Sequence, residues 1–142
     1  MKVQELMTGK IITVSPEEPV SVAARLLSRY NIGSLPVCTR DGKLRGLVTD
    51  RDIVLRCVAA DEDPTEVRVS EVMTRRPVSV QGADDIKSAA SIMSERQVRR
   101  LPVEENGKLI GMLSLGDLAK VSDLSAEAAA ALGGISENIR YL

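Results

Sequence analysis

The 142-residue chain, 44% hydrophobic and 27% charged, is one ordinary domain's worth of sequence and is long enough to bury a core. A formal net charge of -1 gives no general attraction to nucleic acid or anionic membrane, and no apolar run approaches the roughly eighteen residues a membrane span needs. Histidine is absent, which removes the usual general base near neutral pH, the Ser-His and Cys-His couples and most zinc sites; Cys38 and Cys57 are too few for a disulfide framework.

Those exclusions set the expected class: a soluble cytoplasmic protein, without a signal core in Met1-Lys2-Val3-Gln4-Glu5-Leu6, that is not an enzyme and takes neither membrane nor nucleic acid as partner. With no Phe or Trp, and only Tyr30 and Tyr141, the core must come from Val, Ile, Leu, Ala and Met. Aromatic platforms for single-stranded nucleic acid are missing as well.

Taken from its start, the chain opens with Val3-Gln4-Glu5-Leu6-Met7-Thr8, which returns as Val69-Ser70-Glu71-Val72-Met73-Thr74 at an offset of 66. A short strand is expected at Ile11 to Val14, matched by Pro77 to Val80. A helix follows with Val20, Ala23, Ala24 and Leu27 on one face, behind Pro16 and Pro19; Ile86, Ala89, Ala90 and Met93 repeat the i, i+3, i+4, i+7 pattern. Two strands come next, Leu35 to Thr39 and Leu44 to Thr49, joined through Asp41-Gly42 and in the second copy through Asn106-Gly107, both strong hairpin signals. One residue is dropped in that loop, so the remaining matches run at an offset of 65.

Each copy ends alike, in Gly46-Leu47-Val48-Thr49-Asp50-Arg51-Asp52 and in Gly111-Met112-Leu113-Ser114-Leu115-Gly116-Asp117. An apolar strand runs into a helix, and the turn gathers a hydroxyl, free backbone N–H groups and a carboxylate, which suits a phosphorylated, ribose-bearing ligand. The same residues, Thr49 with Asp52 and Ser114 with Asp117, also fit a helix capping box, and the two roles are compatible because a carboxylate offers about four lone-pair sites. Pro36 and Pro102 imply open ladders whose unpaired backbone groups suit a base edge.

The reading that results is α+β: two β-α-β-β-α units, packed sheet to sheet about a pseudo-twofold with clefts between them. Residues 1–58 form the first repeat, 59–68 an acidic linker, 69–121 the second repeat, and 122–142 a helical tail in which Ser125-Ala126-Glu127 starts a helix and Gly133-Gly134 stops it.

The full repeated set, with Leu35-Pro36-Val37 and Leu101-Pro102-Val103 on the middle strands, resembles the tandem cystathionine-beta-synthase (CBS) domain pair over residues 3 to 121. The runs Asn31-Ile32-Gly33-Ser34 and Thr49-Asp50-Arg51-Asp52-Ile53 look especially like stand-alone bacterial two-CBS proteins of the hypoxic-response-protein type. The resemblance implies a homodimer that binds an adenosine-type ligand such as AMP, ATP or S-adenosylmethionine as a regulator, with no required cofactor or metal, and an effector protein that reads the change. It also implies that Asp52 and Asp117 take the ribose diol, with Thr49 and Ser114 beside the ribose or phosphate. Adenine would lie against Ile12, Ile32, Ser34 and Pro36 in one site and Val78, Val98 and Pro102 in the other. Arg51, with Arg99 and Arg100 borrowed from the facing unit, would make the Asp52 site the one for a charged nucleotide. Two further readings stand beside it: a structural or interaction module with vestigial clefts, and an enzyme using Cys38 or Cys57 as nucleophile or Asp residues around magnesium.

Overall fold

A computed structural model describes residues 1–137. In chain order the elements are α1 (Val3–Leu6), α2 (Val20–Tyr30), β1 (Ser34–Cys38), β2 (Leu44–Thr49), α3 (Asp50–Ile53) running into a π turn (Val54–Val58), α4 (Val69–Val72), β3 (Thr74–Arg75), β4 (Val80–Gln81), α5 (Ile86–Arg96), β5 (Arg100–Glu105), β6 (Lys108–Ser114), α6 (Leu115–Ala119), a 3-10 turn (Ser122–Leu124) and α7 (Ser125–Ser136). The strands form two three-stranded sheets, ordered β1-β2-β3 and β4-β5-β6. The fold is the α+β tandem repeat expected from the sequence.

The two compact units do not coincide with the two repeats in sequence. One comprises Ile12–Pro77 with Gly107–Leu109, and the other Met1–Ile11, Val78–Asn106 and the chain from Ile110 onward. Each repeat's lead-in therefore folds with the other repeat. Val3 N–H donates to the Asp84 carbonyl and Thr8 N–H to that of Met112, while Val69 N–H donates to the Glu18 carbonyl and β3 runs antiparallel along β2. Val3 is buried in one core, and Val69 and Val72 in the other. The repeated acids of the lead-ins close the short helices: Glu5 accepts from Lys2 N–H and Glu71 from Arg68 N–H.

The glycine that opens each repeated strand-to-helix run is explained by the same crossing. A Cβ on Gly46 would lie 2.7 Å from the Thr74 carbonyl oxygen, and one on Gly111 would lie 3.0 Å from that of Thr8. Only a residue without a side chain lets the lead-in lie so close.

The strand expected at Ile11 to Val14 reduces to a single parallel bridge, Val14 with Val37; its counterpart shortens to β4, parallel to β5 through Val80–Val103 and Gln81–Glu104. Proline is the reason. Val14 N–H donates to the Pro36 carbonyl and the Val14 carbonyl accepts from Cys38 N–H, so the next bond down the ladder would run from residue 36 N–H to the Ile12 carbonyl, and Pro36 has no such donor. Pro102 stands in the same relation to Val78, two residues below the Val80–Val103 pair.

The amphipathic helices form as patterned. Val20, Ala23 and Leu27 of α2 are buried, with Ala24 half-buried at the edge of the core, and Ile86, Ala89, Ala90 and Met93 of α5 are all buried. Both helices end on a left-handed residue, Asn31 (φ 51°) and Gln97 (φ 56°). Asp85 caps α5 by accepting from Lys87 N–H, whereas Pro19 gives α2 no side-chain cap. The segment read as a linker supplies one: the Val67 and Pro64 carbonyls accept from Val20 and Ser21 N–H.

The hairpins differ as the deletion requires. Asn106 (φ 55°) and Gly107 (φ 78°) make a two-residue turn, while the longer Thr39–Lys43 loop adjoins a register shift between Val37 and Cys38.

The tail corrects one expectation. Gly133-Gly134 does not stop a helix; α7 runs through both to Ser136. A Cβ on Gly134 would stand 2.9 Å from the Ser94 carbonyl oxygen of α5, so this glycine serves close helix contact, reinforced by Gln97 Nε2 donating to the Gly134 carbonyl at 3.1 Å. A Cβ on Gly133 meets nothing within 4 Å. Gly134→Ala is therefore expected to destabilise the protein in thermal melts, and Gly133→Ala to stabilise it by up to about 1 kcal/mol. Residues 138–142 of the expected tail, including Tyr141, lie outside the described residues.

Candidate functional site

In the unit holding Ile12–Pro77, strand β2 delivers Thr49 to the mouth of α3. Thr49 Oγ1 accepts from Asp52 N–H at 3.0 Å, and Asp52 Oδ2 accepts from Thr49 N–H at 2.9 Å, a reciprocal capping box. Ser34 lies directly opposite Thr49 across the β1–β2 ladder and Pro36 opposite Leu47. Asp50 N–H donates to the Gly33 carbonyl at 3.1 Å, tying the helix start to the chain before β1. Ile12 and Ile32 are half-buried against this unit's core, Pro36 is buried, and Arg51 is exposed.

The other unit repeats the arrangement. Ser114 Oγ accepts from Asp117 N–H at 3.1 Å and Asp117 Oδ2 accepts from Ser114 N–H at 2.8 Å. Leu115 N–H donates to the Arg99 carbonyl at 2.8 Å, the equivalent of the Asp50–Gly33 bond. Val78 and Val98 are half-buried against the core, Pro102 is buried, and Arg99 and Arg100 are exposed. By backbone bonding Arg99 thus belongs beside the Ser114–Asp117 mouth of its own unit.

Each aspartate spends one oxygen on its cap. Among the described residues Oδ1 of Asp52 and Oδ1 of Asp117 accept no hydrogen bond, and both side chains are half-buried rather than sealed. Each mouth so presents a carboxylate oxygen and a hydroxyl whose proton is uncommitted, next to a strand whose ladder a proline has opened. Such a set can accept two adjacent hydroxyl donors and donate one hydrogen bond.

The cysteines are not poised for nucleophilic chemistry. Both are buried, and burial, with the Glu62 and Asp63 carboxylates nearby, pushes the Cys57 thiol up from its ordinary pKa, disfavouring the thiolate. Among the described residues no group of three or more His, Cys, Asp or Glu stands close enough to hold a metal ion. No described helix is long and apolar enough to cross a membrane.

What sequence reasoning missed is an apolar surface on the π turn. Val54, Leu55 and Val58, just beyond Asp52, are 53%, 50% and 61% exposed. Their signal was legible, since Ile53, Val54, Leu55, Cys57 and Val58 together exceed what one helix face can bury.

The family model described as "CBS domain" matches residues 3–59 and 69–123. The CBS domain-containing protein YhcV of Bacillus subtilis is 41% identical over 135 residues, covering 94% of each chain. Hypoxic response protein 1 of Mycobacterium tuberculosis is 32% identical over 117 residues, covering 82% of each. A crystal structure of Hypoxic Response Protein I with two coordinated zinc ions superposes with a TM-score of 0.79 at 32% identity, covering 84% of this chain and 98% of that one. A crystal structure of CBSX2 in complex with AMP gives 0.75 at 29% identity, covering 89% and 98%.

Proposed function

The chain belongs to the CBS-domain family and carries two CBS domains in tandem, and from that premise we propose that it is a non-catalytic sensor of an adenosine-type ligand. The observation that carries this reading is the pair of capped aspartates, each with a spare carboxylate oxygen beside a free hydroxyl and an open strand ladder. Asp52 and Asp117 hold the ribose diol through Oδ1, and Thr49 and Ser114 donate to ribose or phosphate. The base edge pairs with the backbone at Ile12 or Val78, with Ile32, Ser34 and Pro36, or Val98 and Pro102, beside it. The AMP complex of CBSX2 supports AMP as the first ligand to try. The crystal structure of Hypoxic Response Protein I holds two zinc ions; this chain has no histidine, and among its described residues no group of three or more Cys, Asp or Glu could hold a metal ion.

Arg51 supplies a guanidinium to the Asp52 mouth, and Arg99 and Arg100 supply two at the Asp117 mouth, where the Leu115–Arg99 bond places their backbone. This allocation is an alternative to the expected loan of Arg99 and Arg100 to the Asp52 site. A phosphate-bearing ligand then binds at both mouths and more tightly beside Asp117.

Ligand binding to the native state raises its melting temperature by mass action. AMP, ATP or S-adenosylmethionine at millimolar concentration is expected to raise the melting temperature of the full chain. No shift with any of them returns the protein to the reading as an interaction module, in which the capping boxes are the whole role of the aspartates.

Ligand is read out through a homodimer that covers Val54, Leu55 and Val58, side chains too apolar and too exposed to be left in water. Leu55→Asp combined with Val58→Asp is expected to halve the molecular mass measured by light scattering while leaving the circular dichroism spectrum intact. An unchanged mass would remove this face from the interface.

A further inference from the structure

A hollow of about 350 Å³ within the unit of Ile12–Pro77 lies at the hairpin end of β1 and β2, opposite the end that carries Thr49 and Asp52. Arg45, Arg75 and Arg76 line it together with Thr39. None of the three arginines forms an ion pair among the described residues. Three like charges lining one hollow repel one another, an arrangement that gains nothing for folding.

The neighbouring acids do not neutralise it. Glu17 lines the hollow, accepts from the Ser15 hydroxyl, and is held below the ordinary carboxylate range first by that bond, then by its own backbone and by the charge of Arg68. Asp41 accepts from the Thr39 hydroxyl, which likewise lowers its pKa, and pairs with Lys43 at 3.8 Å. Counting Lys43 with the arginines and both acids against them, the hollow keeps an excess of two positive charges in a chain whose net charge is -1.

The internal repeat serves as a control on whether the fold demands these residues. The positions matching Arg75, Arg76 and Arg45 in the other copy are Gly9, Lys10 and Ile110, and Glu17 matches Ala83. The same architecture therefore forms with one cation instead of three. Arg76 also holds a left-handed backbone (φ 48°), a conformation that costs an ordinary side chain energy and that the neighbouring glycine-free turn does not relieve.

We propose that this hollow is a second, separate binding site, for a small diphosphate-type anion. Planar guanidiniums bind phosphate oxygens in pairs, two adjacent phosphoryl groups match the excess charge, and the volume falls at the small end of ligand pockets. Pro16, Leu44 and Met73 give one side an apolar wall, so an organic diphosphate with a compact apolar group fits as well as the inorganic ion. The site is independent of the aspartate mouths and stands or falls without them.

Calorimetry of the full chain with inorganic pyrophosphate tests it, using Arg45→Gln, Arg75→Gln, Asp52→Asn and Asp117→Asn in chloride buffer of fixed ionic strength. Wild-type protein is expected to bind, either arginine variant to bind at least about tenfold more weakly, as loss of a charge-assisted bond implies, and both aspartate variants to bind as wild type does. The arginines are exposed, so melting temperatures should show both variants folded, and their response to AMP should be unchanged. Absence of binding to wild type, equal binding by the arginine variants, or loss confined to the aspartate variants would each overturn the proposal.

Discussion

Asp52→Asn and Asp117→Asn are expected to weaken adenosine-ligand binding roughly tenfold to a hundredfold at the substituted mouth, the loss of about 1.5–3 kcal/mol that follows removal of a charge-assisted hydrogen bond. Asparagine is the informative substitution because its carbonyl oxygen can still accept from Thr49 N–H or Ser114 N–H, so the cap persists and stability changes little. Alanine removes both functions. Asp52→Ala should cost about 0.5–2 kcal/mol of stability as well as the ligand contact. The two substitutions at one position thus separate the structural from the binding role of a single side chain. Calorimetry with AMP on these three variants and Asp117→Ala reads the binding, and denaturant melts without ligand read the cap. If the asparagine variants bind AMP as wild type does while the alanine variants only melt earlier, the aspartates are caps and nothing more.

Gly46→Ala should destabilise the protein by about 1–3 kcal/mol, the usual range for forcing an extra methyl into a packed site, and Gly46→Val by more. The obstacle is backbone: the added Cβ would stand 2.7 Å from the Thr74 carbonyl and 2.6 Å from Met73 Sδ. The thioether can swing aside, but the carbonyl moves only if β3 leaves β2, where Gly46 pairs with Arg75 and Leu47 with Thr74. Arg56 Nη1, which donates to the Val72 carbonyl at 3.0 Å, would lose its partner in the same movement. Gly111→Ala meets the Thr8 carbonyl at 3.0 Å and should cost less, because this backbone contact is longer than the 2.7 Å at Gly46. Chemical melts of Gly46→Ala, Gly111→Ala and, as a control with no atom within 4 Å of its Cβ, Gly9→Ala give the order directly. Equal stability of all three would mean that the lead-in segments are not held where these glycines receive them.

Much of this was open to reading because the chain states each feature twice. The offsets between copies identified the repeat, the three-to-four spacing of Val20, Ala23 and Leu27 identified a buried helix face, and Asn106-Gly107 identified a turn. These are local properties, set by side-chain periodicity and by backbone preferences that act over a few residues. The reciprocal bonds of Thr49 with Asp52 and of Ser114 with Asp117 are of the same kind, since a capping box closes within four residues.

Features that depend on distant chain were not legible. Sequence alone determined that the chain carries one α+β unit twice and which hydroxyls and carboxylates stand at the two helix mouths. Tertiary structure alone decided that each lead-in folds with the other repeat, that Gly134 serves contact with Ser94 rather than ending a helix, and that Pro36 shortens the strand at Val14. It also decided that Arg45, Arg75 and Arg76, thirty residues apart in the chain, share one hollow. Periodicity records which face of an element is apolar, but not which neighbour covers it; that choice is made by fit between segments far apart in sequence.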